Sequence, residues 1–184
     1  MIPIRDRSRT YTTPFITYLL LLANILVFVY TITLSSREYI QFISNYAFFP
    51  ALVLRGENLY SIITATFIHG GIFHIFSNML FLYIFGDNLE AWWGHLRYLL
   101  FYLFCSIGAA TLQIFVNPSS QIPNVGASGA IAGIMGGYLI LFPNNRIDLL
   151  VPFGLLLGRI TLPAFTMLFY WIVVQIFLGI GTLN

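Results

Sequence analysis

The residues most able to do chemistry fall in two short groups. The first is His69, His74 and Asn78, and the second is Gly126-Ala127-Ser128-Gly129. Positions 74 and 78 are one helical turn apart and share a face, expected to point inward, whereas 69 and 74 do not, which leaves His69 nearer a loop. Pro123-Asn124 precedes the second group, so Ser128 is read as opening a helix. A hydroxyl there, expected to be buried, meets free backbone N–H groups and the positive end of the helix dipole, which suit an oxyanion formed by attack on a carbonyl. The position two after Ser128 is Ala130, not glycine, so the nucleophile elbow of α/β-hydrolases is a poor match. Each group also has a purely structural reading: close helix packing for Gly-x-Ser-Gly and interhelical hydrogen bonding for His74 and Asn78. A zinc site lacks a His-Glu-x-x-His pattern, and the nearest acids, Asp87 and Glu90, fall at the far end of the same helix.

The elements that must position these residues are membrane spans. Of 184 residues 59% are hydrophobic and 8% are charged, a composition that calls for lipid as the solvent. The eight cationic residues are all arginine and are scattered, which excludes a nucleic-acid surface. The single cysteine, Cys105, excludes a disulfide framework and reads as a small lipid-buried residue. Charges and breaks divide the chain into five spans: 14–34, 71–89, 96–116, 126–142 and 160–180. Residues 1–13 form an N-terminal segment and 35–66 a large first loop, within a single domain covering 1–184. An N-terminus in the cytoplasm puts Arg5, Arg7, Arg9, Arg97, Arg146 and Arg159 inside and leaves Arg37 and Arg55 outside, as the positive-inside rule requires. His74, Asn78 and Ser128 then meet at similar depth near the outer surface. Gly129, Gly133 and Gly137, spaced by four, offer a smooth face to another helix.

This ordered set resembles the rhomboid family of intramembrane serine proteases. His69, His74 and Asn78 match its second helix, Gly86, Glu90 and Gly94 the end of that helix, and Gly126-Ala127-Ser128-Gly129 the head of its fourth. Pro163, Trp171 and Gln175 match the fifth helix, and Met1-Ile2-Pro3-Ile4-Arg5-Asp6 is similar to the opening of bacterial members. The resemblance implies an all-α, polytopic membrane helix bundle with five of six helices present, in a bacterial inner membrane. It implies Ser128 as nucleophile, an oxyanion hole of His74, Asn78 and the Ser128 N–H, and support of the site from His69, Gly126 and Gly129. Glu90 would tie helices together. The substrates would be transmembrane segments of other proteins, with no metal or organic cofactor. The family's general base is a histidine on a sixth helix, and that helix would pack on the Gly129/Gly133/Gly137 face. No histidine follows Ser128 here, so the chain is expected to be such an enzyme without its last helix, and the face to be bare. The alternative is a non-catalytic relative that binds transmembrane clients.

Overall fold

The computed structural model of the chain describes residues 2–8, 12–153 and 156–181, with side chains at 2–8, 12–152 and 157–173. Arg9 and the Gln175 side chain, both used in the sequence reading, lie outside the described residues. The order is β1 (Ile2–Asp6), α1 (Phe15–Thr33), α2 (Ser36–Tyr46), α3 (Pro50–Val53), α4 (Ser61–Thr64), α5 (Ile72–Trp93), α6 (His95–Val116), α7 (Ser128–Leu141), β2 (Arg146–Phe153), β3 (Leu156–Pro163) and α8 (Ala164–Gly181). A 3₁₀ turn, Ala65–Phe67, follows α4.

Helices α1, α5 and α6 are long and apolar enough to cross a bilayer, and α7 is a shorter apolar helix of 14 residues. Leu19, Leu22 and Leu26 of α1 and Leu96, Leu100 and Phe104 of α6 are exposed, the surface expected of helices that face lipid. The core is formed where α5 meets α1, α6 and α7, around Leu82, Phe85, Leu89, Tyr98 and Ile134. Gly94 joins α5 to α6 by itself, ending one helix and starting the next. Its φ of 76° lies where residues with a Cβ are strained.

The bundle carries one element that the sequence reading did not assign, a three-stranded antiparallel sheet in the order β1-β2-β3. Ile2 pairs with Leu150 and Asp6 with Ile147, while Arg146 pairs with Pro163 across the β2–β3 hairpin. Ile147 and Leu149 are buried in the main core. The neighbouring residue, Asp148, is buried too, and its carboxylate accepts from Arg7 Nε at 2.9 Å, Thr161 Oγ1 at 2.6 Å and Arg159. Those partners hold its pKa down to about 2, the Thr161 hydrogen bond first and Arg159 next. The last span is correspondingly shorter than expected at its start, because Ile160–Pro163 belong to β3.

The sheet also constrains topology. β1 precedes α1 and β2 follows α7, so their pairing puts the start of α1 and the end of α7 on one side of the helix bundle. Arg5, Arg7, Arg97, Arg146 and Arg159 fall on that side.

The glycine face of α7 is occupied rather than bare. A Cβ on Gly129 would meet Ala109 Cβ, one on Gly133 would meet Cys105 Sγ and Cβ, and one on Gly137 would lie 2.9 Å from Leu89 Cδ2. Spacing by four identifies a smooth face but not its neighbour, and here that neighbour is mainly α6. Among the described residues the open face of α7 is the adjacent one: Ser128, Ala132 and Ile140 are exposed, and a Cβ on Gly136 would meet nothing within 4 Å.

Candidate active site

The first loop builds the turn that delivers Ser128. Phe48 and Asn124 exchange backbone hydrogen bonds of 3.1 and 2.8 Å, Ala51 N–H donates to Ser120 O at 3.2 Å, and Gly126 N–H donates to Ala65 O at 2.9 Å. The segment between α6 and α7 is thereby held along its length. Ala127, fully buried, is the last residue before α7, and Ser128 is the first residue within it. The N–H groups of Ser128 and Gly129 have no acceptor among the described residues, which is the normal state of a helix's first turn and leaves two donors free.

Gly126 brings the two groups of residues together. Its φ is 118°, and a Cβ added there would stand 2.6 Å from His74 Nε2, 2.8 Å from His74 Cε1 and 3.7 Å from Asn78 Nδ2. Only a glycine lets the backbone approach the two side chains so closely. Gly70 N–H points at His74 Nδ1 at 3.4 Å, a long contact that favours the tautomer with its proton on Nε2, the nitrogen facing Gly126. Asn78 is buried and donates from Nδ2 to His74 O at 3.1 Å, one turn back on α5. His74 Nε2 and Asn78 Nδ2 thus both lie beside Gly126, two residues before Ser128.

His69 packs against His74, with ring centroids 5.0 Å apart and an edge-on arrangement. It is 2% exposed, and neither ring nitrogen has a hydrogen-bond partner among the described residues. Burial, then the neighbouring His74, push its pKa down to about 4, so it is a neutral ring. His95 opens α6, beside the far end of α5, with Nδ1 2.5 Å from Glu90 Oε1.

Contrary to the expectation of a buried hydroxyl, Ser128 is exposed. Its side chain is the first residue of the open α7 face, and it borders a cavity of about 230 Å³. Thr66, Ser106, Gln113, Gly126 and Gly129 line that cavity, and the Thr66 and Ser106 hydroxyls are 2.6 Å apart. The sequence reading passed over Thr66, Ser106 and Gln113, because isolated hydroxyls and amides in apolar runs give no spacing signal.

A family model described as the Rhomboid domain matches residues 56–184. The chain belongs to the rhomboid family. Among similar proteins, the mitochondrial RHOMBOID-like protein 6 of Arabidopsis thaliana is 40% identical over 88 residues, 47% of this chain and 28% of that protein. The rhomboid protease GluP of Bacillus subtilis is 34% identical, covering 52% of this chain and 18% of GluP. The putative rhomboid protease YdcA of the same organism is 35% identical, covering 52% and 48% respectively. The matched regions span less than half the length of each of these relatives.

In this rhomboid, Glu90 occupies a position whose geometry is fully visible. Its carboxylate is 1% exposed and accepts from Ile16 N–H at 2.7 Å, Thr17 N–H at 2.8 Å and Thr17 Oγ1 at 2.7 Å. Pro14, the residue before α1, offers no side-chain cap, so a carboxylate from α5 satisfies the first-turn donors of α1 instead. This joins the two helices at the end opposite Ser128. The family and the apolar helices together make the chain an integral membrane protein of the rhomboid family.

Proposed function

We propose that the protein is an intramembrane serine endopeptidase that cleaves transmembrane segments of other proteins, with Ser128 as nucleophile. The observation that carries this reading is the convergence of His74 Nε2 and Asn78 Nδ2 on Gly126, next to a serine that opens a helix. Ser128 Oγ attacks the scissile carbonyl, and the oxyanion receives hydrogen bonds from His74, Asn78 and the Ser128 N–H. Collapse of the tetrahedral adduct breaks the peptide C–N bond, and the amine leaves with the proton taken from Ser128 Oγ. Water, for which the polar cavity bordering Ser128 is the natural reservoir, then hydrolyses the acyl-enzyme to a carboxylate and free Ser128. His69 and Gly126 support the hole, and Gly129 keeps α7 close to α6.

Depth supports the same reading. Fourteen helical residues span about 21 Å against roughly 30 Å of hydrocarbon. With its far end at the sheet side, α7 places Ser128 about 10 Å below the opposite surface, where a substrate helix can unwind into it. The sheet side is the arginine-rich one, so we assign it to the cytoplasm.

Proton transfer needs a base. His69 is packed against His74, His74 serves the oxyanion, and His95 is held by Glu90 at the other end. The resemblance to the family implies a histidine on a further helix as the base, and the face of Ser128, Ala132 and Gly136, open among the described residues, is where such a helix would pack. A second reading, a relative that binds transmembrane clients without cutting them, is favoured by one observation: none of His69, His74 and His95 is placed to serve Ser128 as the base. The full-length protein in liposomes with a reporter transmembrane substrate separates the two. Proteolysis lost on Ser128→Ala supports the first, and client capture with no cleavage by either form supports the second.

A further inference from the structure

The end of α7 remote from Ser128 holds a second polar group that the proposed reaction does not use. Tyr138 is fully buried, ten residues and about 15 Å along the helix from Ser128. Its hydroxyl donates to Asp6 Oδ2 on β1 and accepts from Asn145 Nδ2 at 3.0 Å. Asp6 also accepts from Asn88 Nδ2 on α5 at 2.8 Å and from Ser8 N–H at 2.8 Å. Ser8 Oγ donates to Asn88 Oδ1 at 2.8 Å, which leaves the Asn88 amide satisfied on both atoms. Just beyond, Arg7 reaches Asp148 on β2. A few residues at the N-terminus are therefore bonded to α5, to α7 and to the hairpin that follows α7.

Among the described residues, Tyr138 is the one side chain of α7 that makes hydrogen bonds. The rest of the helix is held by apolar contacts. Where it meets α6, it does so through Gly129 and Gly133, against Ala109 and Cys105. Glycines offer no interlocking side chains to resist sliding along the axis. In lipid, apolar helix contacts gain nothing from leaving water, so hydrogen bonds in a buried, water-poor site are strong directional restraints. Among the described residues, the helix is also open on the face that begins at Ser128.

We infer that Asp6 and Tyr138 are positioning residues for Ser128: β1 clamps the far end of α7 and, through a rigid helix, sets where the nucleophile sits relative to His74 and Asn78. This rests on the reading of Ser128 given above. A displacement of about 1 Å at a reacting atom is enough to lower turnover by roughly 100-fold, so a clamp that far from the reaction governs kcat.

The test compares wild type, Asp6→Ala, Tyr138→Phe, the double variant and the control Arg5→Ala, whose side chain is exposed and lies outside the cluster. Tyr138→Phe removes one oxygen and keeps the packing, so it remains informative if Asp6→Ala folds poorly. The full-length protein in lipid nanodiscs is followed by hydrogen exchange, and in liposomes by cleavage of a reporter transmembrane substrate. Asp6→Ala and Tyr138→Phe should each speed exchange in the 132–136 stretch about fivefold or more, and lower kcat about 10-fold or more with KM unchanged. The double variant should be no worse than the stronger single one, and Arg5→Ala should match wild type. Exchange that quickens only from Tyr138 onward, or a kcat that stays at the wild-type value, overturns the inference. Equal cleavage by wild type and Ser128→Ala would instead overturn the assignment of the nucleophile, and the exchange data would still decide the clamp.

Discussion

Replacing Gly126 by alanine perturbs the proposed oxyanion hole through one methyl group. The new Cβ would stand 2.6 Å from His74 Nε2 and 2.8 Å from Cε1, whereas ordinary contact is about 3.6 Å. The imidazole must therefore retreat by about 1 Å. The His69 ring, at a centroid distance of 5.0 Å, limits the room for that movement. The backbone adds its own penalty, since a φ of 118° costs a residue with a Cβ about 1–3 kcal/mol. Removing one oxyanion donor from a serine hydrolase lowers kcat by roughly 10²–10³. Gly126→Ala should lose activity on that scale while unfolding about 1–3 kcal/mol more easily, as read by reporter cleavage and by a denaturant titration in matched micelles. Gly70→Ala is the control, because a Cβ there meets nothing within 4 Å and its N–H is retained. A Gly126→Ala protein that cleaves within twofold of wild type would refute the placement of His74 in the reaction.

Glu90→Ala should destabilise the fold by roughly 3–5 kcal/mol, because three donors at the start of α1 lose a buried acceptor; chemical unfolding measures it. Gly133→Ala should cost about 1–3 kcal/mol by overpacking against Cys105, and Cys105→Gly should restore part of it, which a double-mutant cycle in the same assay reads directly. The Asp148 carboxyl has its pKa lowered from 3.8 to about 2 in the folded protein, so its contribution to the sheet is complete above about pH 4 and disappears as pH falls toward 2. Hydrogen exchange of the β2 amides should be unchanged from pH 7 to about 4, after correction for intrinsic rates, and should quicken below that in wild type but not in Asp148→Asn.

Much of this was legible in the sequence, and the misses have physical causes. The long apolar runs gave the spans, because a bilayer demands about 20 apolar residues and charges mark their ends. The i, i+4 spacing of His74 and Asn78 and the breaking residues before Ser128 marked two segments that the fold brings together at Gly126, since both are local signals. The sheet escaped because its evidence is not local: Asp6 pairs with Ile147 far along the chain, and Leu149, Leu150 and Val151 are all apolar, with none of the alternation that marks a strand. The neighbours of Gly129 and Gly133 escaped for a related reason. Spacing tells which side of a helix is smooth, and only packing tells that α6 fills it while the side of Ala132 and Gly136 stays open. Glu90 was tied to structure by resemblance, but its particular task, completing the first turn of α1, needed the coordinates because Pro14 leaves that turn uncapped.

The most direct measurement is cleavage of a reporter transmembrane segment by the full-length protein in liposomes, run alongside labelling by a serine-reactive phosphonate. With Ser128 as nucleophile, wild type cleaves and is labelled at that residue, Ser128→Ala does neither, and Asn78→Ala retains labelling but turns over roughly 10²-fold more slowly. Cleavage that survives Ser128→Ala, or a phosphonate that attaches elsewhere, contradicts the account.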